Sequence, residues 1–158
     1  MDFQLSQKET MLLEDAKKQE ELCIVKYESF ANQAKDPKLK QLLNSLGSQE
    51  EEHLNTVNTL LQGKAPNLSS SSSTKKNQIN SSSSSGNTSI RYNNPDDATM
   101  LTDLLSTEKY VSSLYDTSIF ESANKPVRDA LQHIQKEEQS HGEQIFNYMN
   151  QNGMYNVK

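Results

Sequence analysis

Four polar residues recur at one spacing in the two halves of this chain, and their types are those that bind metal ions. Each member of the first set has an identical residue 88 positions later (108 minus 20, for example). The two sets are Glu20, Tyr27, Glu50, His53 and Glu108, Tyr115, Glu138, His141. The neighbouring positions do not match: Glu21 corresponds to Lys109, Gln49 to Glu137, Glu51 to Gln139 and Glu52 to Ser140. The repeat therefore selects one glutamate from each acidic cluster.

The recurring glutamates lie in the middle of apolar helical stripes, which predicts that they are buried. Residues three apart share a helix face, so each Glu-x-x-His pair projects in one direction. Carboxylates crowded in a dry core must take up protons or gain a cation, and two divalent cations would balance four glutamates. We therefore predict two metal ions on Glu20, Glu50, His53, Glu108, Glu138 and His141. This ligand set is that of di-iron and di-manganese carboxylate bundles. It suits iron or manganese and also accepts zinc.

Some interpretations stay open at this stage. The same residues can form a hydrogen-bonded polar layer without metal. Tyr27 and Tyr115 lie two turns after Glu20 and Glu108 on the same face, which fits either core packing or contact with metal ligands. Cys23 is expected to be a core residue, and His133 falls off the apolar stripe and is expected to be exposed without chemistry.

Composition limits the class of protein. The 158 residues suit one domain, and a net charge of −5 without a dense basic stretch disfavours nucleic acid as a partner. A single cysteine excludes an internal disulfide. No apolar run is long enough to span a membrane. The N-terminal residues lack the features of a secretory signal, so we expect synthesis in the cytoplasm.

Apolar periodicity predicts an all-α, ferritin-like four-helix bundle made of two helical hairpins in a single domain, 1–158. The hairpins span 7–62 and 96–152, with predicted caps at Ser6, Asp36, Asp96 or Asp97, and Asn124, and helix stops at Gly63 and Gly153. Residues 64–95, rich in serine, are expected to be a disordered crossover. A tether of this length also permits a homodimer by exchange of hairpins.

The first hairpin resembles the rubrerythrin branch of the ferritin-like superfamily. The resemblance lies in Glu20 and Tyr27 within EELCIVKYESFANQA and in the later EEEHLNTV. It implies the same six metal ligands. The chain differs from rubrerythrins proper in two ways. It has no rubredoxin domain with four cysteines, and Leu105 and Val111 flank Glu108 where an additional carboxylate would be expected.

The second hairpin resembles the coat F family of spore coat proteins, from Asp97 to Tyr155. The shared features are Glu121, Ala123, Pro126, Val127-Arg128 and the closing IFNYMNQNGMY. The resemblance implies a protein made in the mother cell and deposited in the spore coat. It also implies association with other coat proteins or with itself.

Three hypotheses follow. The first is a spore coat protein of the coat F type that binds a dinuclear iron or manganese centre. The second is a rubrerythrin-like oxidoreductase that reduces peroxide or oxidises Fe(II) and protects against oxidants. The third is a metal-free interaction module with a flexible serine tether.

Overall fold

The chain folds into four long helices arranged as two hairpins. The computed structural model describes residues 2–68 and 96–158. The helices are α1 (Gln7–Gln33), α2 (Pro37–Leu61), α3 (Asp97–Glu121) and α4 (Lys125–Gln151). Short turns join α1 to α2 and α3 to α4, and no named strand occurs in the described residues. The predicted all-α bundle of two hairpins is confirmed.

Most of the predicted caps close the helix ends. Ser6 and Glu9 form the reciprocal capping box, with the Ser6 amide 2.8 Å from Glu9 Oε2. Asp36 and Asp96 accept hydrogen bonds from first-turn amides of α2 and α3. Asn124 occupies the cap position of α4, but its side chain donates to Glu9 instead of to that helix. The cap residues thus satisfy free helix amides or tie the hairpins together.

Contacts between the hairpins define the direction of each helix. Helix α1 packs against α2 and α3, and α4 packs against α3 and α2. Near one end Lys8 of α1 meets Glu121 of α3, and further along Lys26 meets Asp103, so these helices are antiparallel. Because α1 is also antiparallel to α2 within its hairpin, α2 and α3 run in the same direction. The end of α2 and the start of α3 therefore lie at opposite ends of the bundle, and a helix of 25 residues is about 38 Å long.

The first residues of the predicted crossover, 64–68, are described by the structure and contact the bundle. Lys64 pairs with Asp2 in an isolated bridge, and Leu68 packs partly buried against the core. The rest of the predicted segment, residues 69–95, lies outside the described residues.

The interior is mostly apolar. Leucine, valine, isoleucine, methionine and aromatic side chains at helical spacing fill it, and Cys23 is buried among them as predicted. Over the described residues, no helix is apolar enough along a sufficient length to cross a membrane. One layer of buried glutamates and histidines interrupts this core.

Gly63 closes α2 in a conformation that residues with a side chain adopt only with strain. Its φ is 71°, and a Cβ built there would lie 2.5 Å from the carbonyl oxygen of Phe3. The carbonyl oxygen of Gly63 accepts a hydrogen bond of 2.8 Å from the Phe3 amide, so the backbones must stay close. This glycine therefore joins the end of α2 to the N-terminal segment.

We expect Gly63→Ala to lower the free energy of unfolding by about 2 kcal/mol or more, because strain and a clash add together. Gly153 is the matched control, since its φ is 70° but a Cβ added there would meet nothing within 4 Å. Gly153→Ala should cost only about 1 kcal/mol, from the left-handed backbone alone. Urea unfolding of both variants measures the difference. Equal losses would contradict the role of the Phe3 contact.

Candidate metal centre

All six predicted metal ligands meet at the polar level of the core. The first helix of each hairpin supplies one glutamate, and each second helix supplies a Glu-x-x-His pair. Their exposed fractions range from 0 to 3%: Glu20, Glu50, His53, Glu108, Glu138 and His141. Burial follows from helical spacing, because these positions continue the apolar stripes. The carboxylates excluded by the repeat, Glu21, Glu51 and Glu52, are exposed.

The six side chains form two overlapping groups that can each hold a metal ion. One group is Glu20, Glu50, His53 and Glu138, and the other is Glu50, Glu108, Glu138 and His141. Within each group the ligand atoms lie within 4.8 Å of one another. Glu50 and Glu138 belong to both groups. These two shared carboxylates therefore connect the two groups.

The distances show how Glu50 and Glu138 divide their oxygens between the two positions. Oε2 of Glu50 lies 3.1 Å from Nδ1 of His53, and Oε1 lies 3.1 Å from Nδ1 of His141. For Glu138 the corresponding distances are 3.3 Å from Oε1 to His53 and 3.4 Å from Oε2 to His141. The imidazole rings stack with centroids 5.4 Å apart. Nδ1 of each histidine therefore faces one oxygen of Glu50 and one oxygen of Glu138.

The two remaining carboxylates are held by tyrosines from the opposite hairpin. Tyr27 of α1 donates a hydrogen bond to Oε1 of Glu108 on α3, and Tyr115 of α3 donates to Oε1 of Glu20 on α1. Both tyrosines are fully buried. They therefore combine the two interpretations left open by the sequence, since each fills the core and contacts a predicted ligand.

The buried oxygens indicate that the site fits cations. Among the described residues, four buried carboxylate oxygens have no hydrogen-bond partner: Oε2 of Glu20, Oε2 of Glu108, and both oxygens of Glu138. A buried acceptor without a partner is costly, and a divalent cation among these oxygens would satisfy them. Mixed oxygen and imidazole donors suit iron, manganese or zinc.

The net shift in pKa differs among the four buried glutamates. Burial raises the pKa of Glu108 to about 9, and burial beside Glu138 and Glu50 raises the pKa of Glu20 well above its usual range. For Glu50 and Glu138 burial acts in the same direction, but the close contacts with His141 and His53 outweigh it and lower the pKa of both carboxyl groups. Without metal, Glu20 and Glu108 therefore hold a proton more tightly than Glu50 and Glu138 do.

The histidines balance the carboxylates of Glu50 and Glu138 in the absence of metal. Burial lowers the pKa of His141, but its contacts with Glu108, Glu138 and Glu50 outweigh burial and raise the pKa to about 11. Burial opposes charge on His53 too, but Glu137, Glu138 and Glu50 raise its pKa well above the usual range. Two imidazolium ions then face two carboxylates. The metal-free centre can therefore be neutral, as is a centre with two divalent cations, four carboxylates and neutral histidines.

The second ring nitrogen of each histidine, Nε2, contacts a residue that does not recur as the same type in the repeat. Nε2 of His53 lies 2.8 Å from Oε2 of Glu137, and Nε2 of His141 lies 2.9 Å from Oε1 of Gln49. Such partners orient each imidazole so that Nδ1 faces the buried carboxylates. Positions 49 and 137 are themselves 88 apart. Their roles were missed because the comparison asked for identical residue types and not for equivalent positions.

A surface cavity of about 430 Å³ lies beside one half of the centre. It is bordered by α2, α4 and residues 65–68, and His53 and Glu137 reach its wall. His133 also lines it, half-buried and 3.5 Å from Oε1 of Glu137. His133 is therefore less exposed than the sequence suggested, because Glu137 lies one helical turn further along α4.

Comparison with known families concerns the second hairpin. The model of the Coat F domain matches residues 96–158. The second hairpin is therefore similar to the Coat F domain. The match confirms the predicted resemblance of the second hairpin and supports a spore coat protein. Searches of curated proteins and of solved structures found no match.

The Coat F domain contains half of the candidate centre. Glu108, Tyr115, Glu138 and His141 fall within it, whereas their four counterparts lie in the first hairpin. The domain alone therefore does not supply either four-residue group. The complete centre depends on the pairing of the Coat F domain with the first hairpin of this chain.

Proposed function

We propose that this chain is a spore coat protein of the coat F type whose ferritin-like bundle binds a dinuclear iron or manganese centre. The observation that carries the proposal is the pair of overlapping four-residue groups that share Glu50 and Glu138. Zinc is a chemically acceptable occupant of the same ligands. The coat assignment rests on the Coat F domain, and the metal assignment rests on geometry.

Each ligand has a specific role in this proposal. Glu50 and Glu138 would be shared by the two ions, since each presents one oxygen to each half of the centre. Glu20 and His53 would complete one position, and Glu108 and His141 would complete the other. The tyrosines hold one oxygen of each terminal carboxylate and leave the second oxygen for the metal.

Metal analysis tests the chemical part of the proposal. Protein loaded anaerobically with Fe(II) or Mn(II) and freed of excess ions should retain about two ions per chain. Fewer than about one ion per chain with iron, manganese and zinc would contradict the proposal. It would favour instead the neutral, hydrogen-bonded polar layer.

Spore fractionation tests the location independently. We expect the chain in the coat fraction, released with the other coat proteins or as a self-associated form. Its presence only in the cytoplasm of vegetative cells would contradict the coat assignment and would leave the metal centre standing.

A second candidate function is peroxide reduction or Fe(II) oxidation, as in rubrerythrin-like oxidoreductases. The observation that favours it is the cavity whose wall includes His53, because a small oxidant could approach the buried centre there. A redox-active metal pair held by these residues would supply two electrons, and two protons from solvent would complete the reduction of hydrogen peroxide to two water molecules.

Peroxide consumption under an added electron donor tests this candidate. Iron-loaded protein should consume peroxide at least about 100-fold faster than a Glu50→Ala, Glu138→Ala double variant given the same iron. Equal rates would reject the enzyme and leave metal binding in the coat as the function.

A further inference from the structure

The two halves of the centre differ in one charged group. His53 is backed by the carboxylate of Glu137 at 2.8 Å, whereas His141 is backed by the neutral amide of Gln49 at 2.9 Å. The six ligands and the two tyrosines obey the repeat, so their chemistry is the same on both sides. The pair at 49 and 137 is therefore a difference in charge that directly contacts the two histidines.

A carboxylate behind an imidazole strengthens that imidazole as a metal ligand. It accepts the proton on Nε2, increases the electron density at Nδ1 and adds a negative charge near the cation. An amide oxygen fixes the same ring orientation without the charge. Glu137 is partly shielded from water, with 28% of its side chain exposed, so its charge is only partly screened.

The position of Glu137 is fixed from both sides. One of its oxygens contacts His53, and the other lies 3.5 Å from Nε2 of His133 on the same helix. The carboxylate therefore lies between two histidines, with one oxygen against the imidazole of His53. The cavity reaches this half of the centre, so the half with the added charge also lies next to an approach from the surface.

We propose that Glu137 makes the two metal positions unequal, so that the Glu20–His53 position binds a divalent cation more tightly and fills first. The inference rests on the proposed dinuclear centre and deepens it. When metal is scarce, the chain then holds one ion at a defined position. The second position, with His141 and Gln49, fills only at higher metal concentration.

Anaerobic calorimetric titration with Mn(II) alone tests this order. In the wild-type chain the first ion should bind about 10- to 100-fold more tightly than the second. Glu137→Gln keeps an acceptor for Nε2 of His53 and nearly the same shape, so the fold should persist. It should weaken the first step by about the same factor and bring the two steps together.

Gln49→Glu is the matched reciprocal change, since it gives His141 the partner that His53 has. It should strengthen the second step and again bring the two affinities together. The identity of each position follows from two further variants. Glu20→Ala should remove the tighter step, and Glu108→Ala should remove the weaker one.

The failures of the two proposals can be distinguished. Two equal steps in the wild-type chain, or unequal steps that Glu137→Gln leaves unchanged, would overturn the inference but not the dinuclear centre. Loss of the weaker step in Glu20→Ala would overturn the assigned order. No binding by the wild-type chain would overturn both proposals.

Discussion

Replacing Glu50 by alanine should reduce the metal bound by the chain from about two ions to well below one. Glu50 belongs to both four-residue groups, and its two oxygens face different histidines at 3.1 Å. Its removal therefore takes one ligand from each position and the bridge between them. Glu138→Ala should have the same effect, because Glu138 is shared in the same way.

The control for this prediction is the adjacent glutamate. Glu51 lies next to Glu50 on α2 but is exposed and is absent from both groups. Glu51→Ala should retain about two ions per chain. Elemental analysis after anaerobic loading gives the stoichiometry, and circular dichroism checks that each variant is helical. Equal metal content in the folded Glu50 and Glu51 variants would contradict the bridging role.

The affinity of the chain for metal should depend steeply on pH. In the metal-free chain, burial raises the pKa of Glu108 to about 9, and contacts with carboxylates raise the pKa of His141 to about 11. The pKa values of Glu20 and His53 are raised as well. All four groups therefore hold protons near neutrality, and a cation must displace them to use these ligands.

The direction and size of the dependence follow from that displacement. A fall in pH makes proton loss harder, so the Kd for metal rises as the pH falls. If about four protons leave for two ions, the average Kd should rise about 100-fold for each unit between about pH 8 and pH 6. Calorimetry in buffers of different ionisation enthalpy counts the released protons. A Kd that does not change over this range would contradict the predicted protonation of the metal-free centre.

The hairpins could be predicted from sequence because their signals are local. Apolar spacing, the Ser6–Glu9 capping box, Pro37 after Asp36 and the two terminal glycines each act within one or two helical turns. The candidate ligands could be selected because the repeat added a second constraint to helical spacing. Together these signals gave the helices, the six candidate residues and their burial.

Contacts between the hairpins could not be predicted in the same way. The bonds from Tyr27 to Glu108 and from Tyr115 to Glu20 depend on α1 and α3 lying side by side in opposite directions. The partners of the histidines depend likewise on how α2 meets α4. Local periodicity contains neither the order of helices around the bundle nor their relative direction, so these pairs required the structure.

Anomalous diffraction from crystals of the protein loaded with Mn(II) tests the central claim most directly. We expect two peaks about 3.5 to 4 Å apart within the bundle, with Glu50 and Glu138 each contacting both metal ions. Strong peaks only at exposed carboxylates such as Glu51 or Glu52, with none among the six buried ligands, would contradict it.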